Sequence, residues 1–430
     1  MKLSRYAPIV IVSLAMVGCV DNNKNSASGG SGGDPGGGAG TGPLTGCAAL
    51  NTLDLGASGM EIIDLDASNL SPIVTDVFDR YTAITTPSGD RVHFVAQSGV
   101  SDAKIRRARE IMRMHLADLP GAGAGASKGD VADAVSGNCG TIAMFANESE
   151  YDLADPAVST FDADFGGAYV PLFGNRVIVE GSAAYLKSNP GYDQTFGATS
   201  VLIYRQGMLA KRPGWVSQLA LAATNAEADG TFNPVNEKPY LNLNEAYLGV
   251  VMESHSGVWG HDPSGDGSAQ NGVYAFGDRP AMVAGDESTV ALMEDFFRPE
   301  HTFAAEIDMD FSGTFDLLYR ETVPHTNRSQ YLSNVRLTGD NASELFGTGH
   351  NDTRIGNDGN NNLRGRSGDD TLDGGEGLDT AVFSGNRSEF TITNNGDGST
   401  TVQHNQVPGL GTDTCRRISI LSFSDQNVNI

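Results

Sequence analysis

The chain has 430 residues, long enough for at least two domains, and carries 53 acidic against 28 basic side chains, a formal charge of −25. A surface this negative repels phosphate backbones, so nucleic acid is excluded as a partner. Its 54 glycines, with 7% aromatic and 19% charged residues, fit a secreted, turn-rich, cation-binding protein better than a cytosolic helical enzyme.

The N-terminus reads as an address. Lys2 and Arg5 precede an apolar run, Ala7 to Val17, too short to cross a hydrocarbon core of about 30 Å. The run ends in Met16-Val17-Gly18-Cys19, which resembles the lipobox of bacterial lipoproteins, with Met16 in place of the usual Leu. The resemblance implies a signal peptide over 1–18, cleavage before Cys19, and lipid on its thiol. Val20, where Asp would retain the protein in the inner membrane, implies the outer membrane and the cell surface. Residues 19–46 form the lipidated Gly/Ser-rich tether, and Asp21–Gly46 holds ten glycines. Such a segment buries too little to offset its ordering entropy and gives a leash of roughly 25–30 Å.

Three further cysteines follow, an odd number, so at least one is free or pairs between chains. Cys47 and Cys139 lie at polar, glycine-flanked positions, and an oxidising compartment would join them. Cys415, in a strand-like stretch, reads as a buried thiol.

Residues 47–337 form the large domain. Ser101 or Asp102 opens a helix with apolar residues at Ile105, Ala108, Ile111, Met112 and Leu119, ended by Pro120-Gly121. His115, near that stripe, reads as a core-edge histidine rather than a ligand. Strands are expected at Thr141–Phe145, Ala168–Pro171 and Arg176–Glu180. Helices are expected at Thr195–Leu209, Trp215–Ala223, Asn244–Met252, Thr289–Phe297 and Phe311–Arg320. Strands early and helices late give an α+β domain.

The helix carrying Leu202-Ile203-Tyr204-Arg205-Gln206-Gly207-Met208, followed by Asn244-Glu245-Ala246-Tyr247, resembles the order of a zincin metallopeptidase of the lethal-factor-like group. Zinc needs two imidazoles one turn apart and a neighbouring Glu. Tyr204, Arg205 and Met208 occupy those slots, and only Glu245 matches a ligand, so the resemblance implies an inactive relative. A second constellation, Glu253, His255, His261, Asp262 and Asp266, admits three readings. It is a polar surface loop, a weak Ca²⁺ site with Val273 at the twelfth loop position, or a transition-metal site.

Residues 338–381 repeat every nine positions. Gly356 to Leu363, Gly365 to Leu372 and Gly374 to Ala381 are clear copies. Two weaker ones reach their apolar slot at Leu345 and at Arg354. The pattern resembles the calcium-binding nonapeptide of RTX proteins, which implies a parallel β-roll with Ca²⁺ as cofactor. Glycines allow tight turns that present carbonyls, and an Asp at the sixth position adds a carboxylate. The expected metal ligands are the turn glycines Gly347, Gly356, Gly365 and Gly374 with Asp352, Asp370, Asn361 and Asp379, of which Asp352 and Asp370 fall on one edge. Ser343, Asn361 and Asp379 fall on the other edge. The Asp352/Asp370 edge should bind best, and Arg354 should leave the first half-coil loosely packed or capped by the preceding domain. The segment holds nine acidic residues against three arginines and should depend on cations to fold. Residues 382–430 alternate like the β cap that follows such repeats, with strands at Phe390–Thr393, Thr401–Gln403 and Ile418–Phe423.

The expected architecture is an α+β large domain followed by a parallel β-roll and a C-terminal β cap. The expected function is a calcium-binding outer-membrane lipoprotein, held to the membrane by its lipid. Its large domain would bind or scaffold a protein or glycan that the sequence leaves unknown. The alternative is a secreted zincin-type metal-dependent hydrolase, or its inactive relative, built on Glu245, Glu253 and His255 or His261. Zinc is not expected under the first reading.

Overall fold

Five apolar segments of the first 180 residues pair into one mixed sheet: β1 (Ile63–Asp64), β2 (Arg80–Thr85), β3 (Arg91–Ala96), β4 (Thr141–Phe145) and β5 (Tyr169–Phe173). The computed structural model describes residues 46–65, 70–187, 193–234, 241–260, 266–318, 330–406 and 409–430. The lipobox, Cys19 and the tether lie outside the described residues, as do His261 and Asp262. β1, β2 and β3 run antiparallel, whereas β3, β4 and β5 run parallel. The interior strands are buried on both faces, which is why β4 reads as an unbroken apolar run. Pro171, which has no amide to donate, sits on the edge strand β5.

One face of the sheet is covered by helices Asp102–Leu116, Gly129–Gly137 and Thr195–Ile203, and Leu243–His255 packs on the last of these. The other face carries Leu50, Phe78, Phe145, Phe161 and Phe165 in a separate apolar cluster. Cys47 is disulfide-bonded to Cys139, and Cys415 is a buried free thiol. His115 is buried against Phe297 and Phe196, with Nδ1 3.2 Å from Thr199 Oγ1.

Two expected elements are corrected. Arg176–Glu180 is not a strand, because the chain leaves the sheet after β5. Val177, Ile178 and Val179 pack into the core instead, and Glu180 pairs with Arg107 at 3.0 Å. Phe311–Arg320 is not a helix; Gly313–Asp316 is a strand parallel to Ser343–Phe346. Phe315 and Leu317 alternate inward there, and positions 319 and 320 lie outside the described residues. The expected helix Thr195–Leu209 keeps its place but widens into a π turn over Tyr204–Met208.

The C-terminal part is β-rich, so the whole is a mixed α+β protein. Short strands alternate between two sheets, and from Ser343 to Val382 each pairs in parallel with the strand about eighteen residues on. Thr353 faces Thr371, Asn362 faces Thr380, and Arg354 faces Leu372. The inward slot is filled by Leu345, Arg354, Leu363, Leu372 and Ala381, all 0% exposed. The sheets begin upstream of residue 338, since Ala305–Glu306, Gly313–Asp316 and Asn334–Arg336 are already members. They continue downstream through Thr412–Arg416 and Ile420–Ser422, and antiparallel hairpins complete the C-terminus. The ladder interior and the helical face of the first sheet belong to one continuous apolar core.

Candidate metal centre

The turns between the ladder strands are built by glycine and acid together. A Cβ on Gly356 would lie 2.0 Å from the Gly374 carbonyl, and one on Gly374 would lie 2.2 Å from the Arg417 carbonyl. Only glycine lets successive turns stack this closely with carbonyl oxygens in the seam. Each acid then straps the turn before it. The Asp352 amide donates to Asp370 Oδ1 at 2.8 Å, and the Asn361 amide donates to Asp379 Oδ1 at 2.8 Å. Asp352 and Asp370 thus share one edge, with Asn361 and Asp379 on the other.

A further acid joins the first edge. The Asp370 amide donates to Asp413 Oδ1 at 3.1 Å. Asp413 lies outside the nine-residue frame, so the repeat count misses it. Its signal is Gly409-Leu410-Gly411-Thr412-Asp413-Thr414-Cys415, which keeps the spacing of glycine, acid and core residue. Cys415 fills the slot beside Leu372.

The second carboxylate oxygens distinguish the turns. Asp352 Oδ2 accepts from the Thr348 amide and from Thr348 Oγ1. Asp370 Oδ2 and Asp379 Oδ2 have no hydrogen-bond partner, although these residues are 2% and 0% exposed. Burial pushes the Asp370 carboxyl up to about 7 and the Asp379 carboxyl up to about 6. Asp413 rises to about 8, through burial first and then the nearby Asp370 charge. Arg354 and Arg417 pull Asp370 and Asp379 the other way, but they pair directly with Asp352 and Asp373, and burial outweighs the attraction.

The Asp352 turn has cations of its own. Arg354, fully buried, pairs with Asp352 at 2.9 Å and donates to the carbonyls of Ser333, Thr353 and Leu332. Arg366 donates to the Gly347 carbonyl and pairs with the buried Asp316 at 2.7 Å. Arg354 is therefore a tightly bonded core residue that ties the first turn to the segment around Ser333.

Among the described residues, the remaining candidates do not assemble a metal site. Glu253 Oε2 accepts from Trp259 Nε1 and from Gln270 Nε2, each at 2.9 Å. His255 faces Glu294 at 3.5 Å, and Asp266 accepts from the amide and hydroxyl of Ser268. Glu253, His255 and Asp266 are not gathered within ligating reach of one another. In the zincin-like slots, Tyr204 accepts a hydrogen bond from Asn244 Nδ2 at 3.3 Å. Arg205 makes a two-pronged pair with Glu245, 2.9 Å on each prong. The guanidinium stands against the one carboxylate that a zincin would give to zinc. The cavity lined by Gly197, Val201, Gly249 and Glu253 measures about 30 Å³, room for a water or two at roughly 10–15 Å³ each.

Among the described residues no helix is long and apolar enough to cross a membrane. No protein-family model matches the chain, and a search of curated proteins finds no significant match.

Proposed function

We propose that the ladder is an RTX-type parallel β-roll that binds Ca²⁺, and that the chain is a lipid-anchored envelope protein displaying its large domain on that roll. The observation that carries the reading is the pair of buried carboxylate oxygens, Asp370 Oδ2 and Asp379 Oδ2, that lack a partner. They occur on turns whose glycines pack against backbone carbonyls. Hard oxygen donors of both kinds are what Ca²⁺ takes, six to eight at a time. Asp370 and Asp413, with turn carbonyls, would hold an ion on one edge. Asp379, Asn361 and the carbonyls of Gly356 and Gly374 would hold one on the other. Bound Ca²⁺ supplies the counter-charge that these acids lack. Asp352 is served by Arg354, so its turn has less need of an ion.

The large domain is read as a binding or scaffolding module. The hydrolase alternative has less support, because Arg205 pairs with Glu245, the one residue that matched a zincin ligand. Metal analysis of protein purified without reductant tests the choice. Retained calcium without zinc is the expected result; about one zinc per chain without calcium would overturn it. The anchor has its own test: Cys19→Ala should release the protein from membranes after a salt wash, and continued fractionation with membrane would contradict lipidation.

A further inference from the structure

A second cluster, independent of the ladder, gathers side chains that bind metals and carry electrons. The disulfide Cys47–Cys139 holds two Cα atoms 5.5 Å apart, and His93 Nε2 lies 3.2 Å from Cys47 Sγ. One ligand atom from each of the three residues falls within 4.8 Å of the others.

The imidazole is oriented by a relay. Tyr81 Oη donates to the Leu50 carbonyl at 3.1 Å and lies 2.9 Å from His93 Nδ1. A phenol has one proton. With that proton on the carbonyl, the phenol oxygen accepts Nδ1–H, and Nε2 keeps its lone pair toward the sulfur. The ring is 0% exposed on β3, and burial favours the neutral form that a metal ligand requires. Cys47 and Cys139 are half-buried, so the sulfur side of the cluster reaches solvent while the imidazole side does not.

We propose that reduction of Cys47–Cys139 opens a zinc site, with Cys47 Sγ, Cys139 Sγ and His93 Nε2 as ligands and a fourth position toward solvent. A dithiol reductant supplies two electrons and two protons. The S–S bond breaks, two S–H bonds form, and the reductant leaves as its own disulfide. Zinc then displaces both thiol protons into solvent and forms two Zn–S bonds and one Zn–N bond. Tetrahedral zinc with bonds near 2.3 Å to sulfur and 2.0–2.1 Å to nitrogen sets its ligand atoms roughly 3.3–3.8 Å apart. Cys47 Sγ and His93 Nε2 are already near that spacing, reduction frees the two sulfurs to move apart to it, and Tyr81 fixes the tautomer as outer partners of metal-bound histidine do. Oxidation removes both thiolates and closes the site, so zinc and the disulfide exclude each other.

The test uses the full chain carrying Cys19→Ser and Cys415→Ser, which leaves Cys47 and Cys139 as the only cysteines. Zn²⁺ is titrated against a chromophoric chelator, with and without a phosphine reductant, and Co²⁺ serves as an optical stand-in. The reduced chain should bind one zinc, show sulfur-to-cobalt charge-transfer absorption, and bind at least tenfold tighter than the oxidised chain. Tyr81→Phe should weaken the reduced site by about 10-fold or more, and His93→Gln should weaken it further. Zinc binding by the reduced chain no tighter than by Cys47→Ser/Cys139→Ser would overturn the proposal. Unchanged affinity in a folded His93→Gln variant would overturn the ligand set. Loss of the near-ultraviolet circular dichroism on reduction would also overturn it, because the fold must hold His93 in place.

Discussion

Asp352 and Asp370 stand eighteen residues apart on one edge, and Arg354 pairs directly with Asp352. The sequence shows both acids, because the repeat frame makes them equivalent. It does not show what Arg354 does, since a charged residue in an apolar slot reads as a defect until its partners are known. Asp413 was hidden for a different reason: the hairpin Phe390–Asn394/Ser399–His404 interrupts the count before the glycine-acid pattern returns. These contrasts predict different outcomes for two variants in one calcium titration. Asp370→Ala removes an uncompensated carboxylate and should weaken calcium binding more than any other single turn substitution. Arg354→Leu supplies the usual core residue but leaves Asp352 buried without its cation. Breaking such a pair costs about 3–5 kcal/mol, so this variant should lose calcium-free stability and recover part of it when calcium is added. Equal calcium affinity in Asp370→Ala and the parent would remove the ligand assignment. Unchanged calcium-free stability in Arg354→Leu would remove the role given to the arginine.

At the scale of elements, the helix Asp102–Leu116 was legible from its period and β4 from a short unbroken apolar run, each with clear ends. The strand Gly313–Asp316 was not legible. Its neighbours are apolar at spacings that suit a helix, and only pairing with Ser343–Phe346 decides the matter. The two kinds of element should also answer pH in opposite directions. In the sheet-and-helix part, burial lowers His93 and His115 to about 3 and His255 to about 4. A depressed histidine contributes stability that is full above its ordinary value near 6.5 and lost as pH falls toward the folded value. In the ladder, Asp370, Asp379 and Asp413 are raised to about 7, 6 and 8. Their contribution in calcium-free protein is full below about pH 4, the ordinary carboxylate range, and is lost as pH rises through 6–8. Calcium reverses this second trend, because it favours the ionised acids and protons compete with it. Scanning calorimetry in chelator from pH 4 to 7 should therefore show the ladder losing stability as the remainder gains it. Parallel movement of both transitions would contradict the assignment of these groups.

For the whole molecule, the sequence reading placed the start of the repeats at 338, where the nine-residue frame first becomes visible. The sheets themselves start at Ala305, because strand pairing needs an apolar inward residue and a register but no glycine signature. The continuous core then joins the ladder to the helices without an intervening linker. Dependence on calcium should accordingly be graded. The coil at Thr353–Ile355, held by Arg354 and Arg366, should stay folded with the large domain. The coils beyond it, whose buried Asp370 and Asp379 carry an unbonded carboxylate oxygen, should not.

Hydrogen exchange of the full chain, with millimolar calcium and then with chelator, measures that gradient directly. The account predicts that chelation strips protection from Thr371–Asp373, Thr380–Val382, Thr412–Arg416 and Ile420–Ser422. β3, β4 and Thr353–Ile355 should keep theirs. Equal protection in the two conditions, or a uniform loss across the chain, would contradict calcium binding by the ladder as the source of its order.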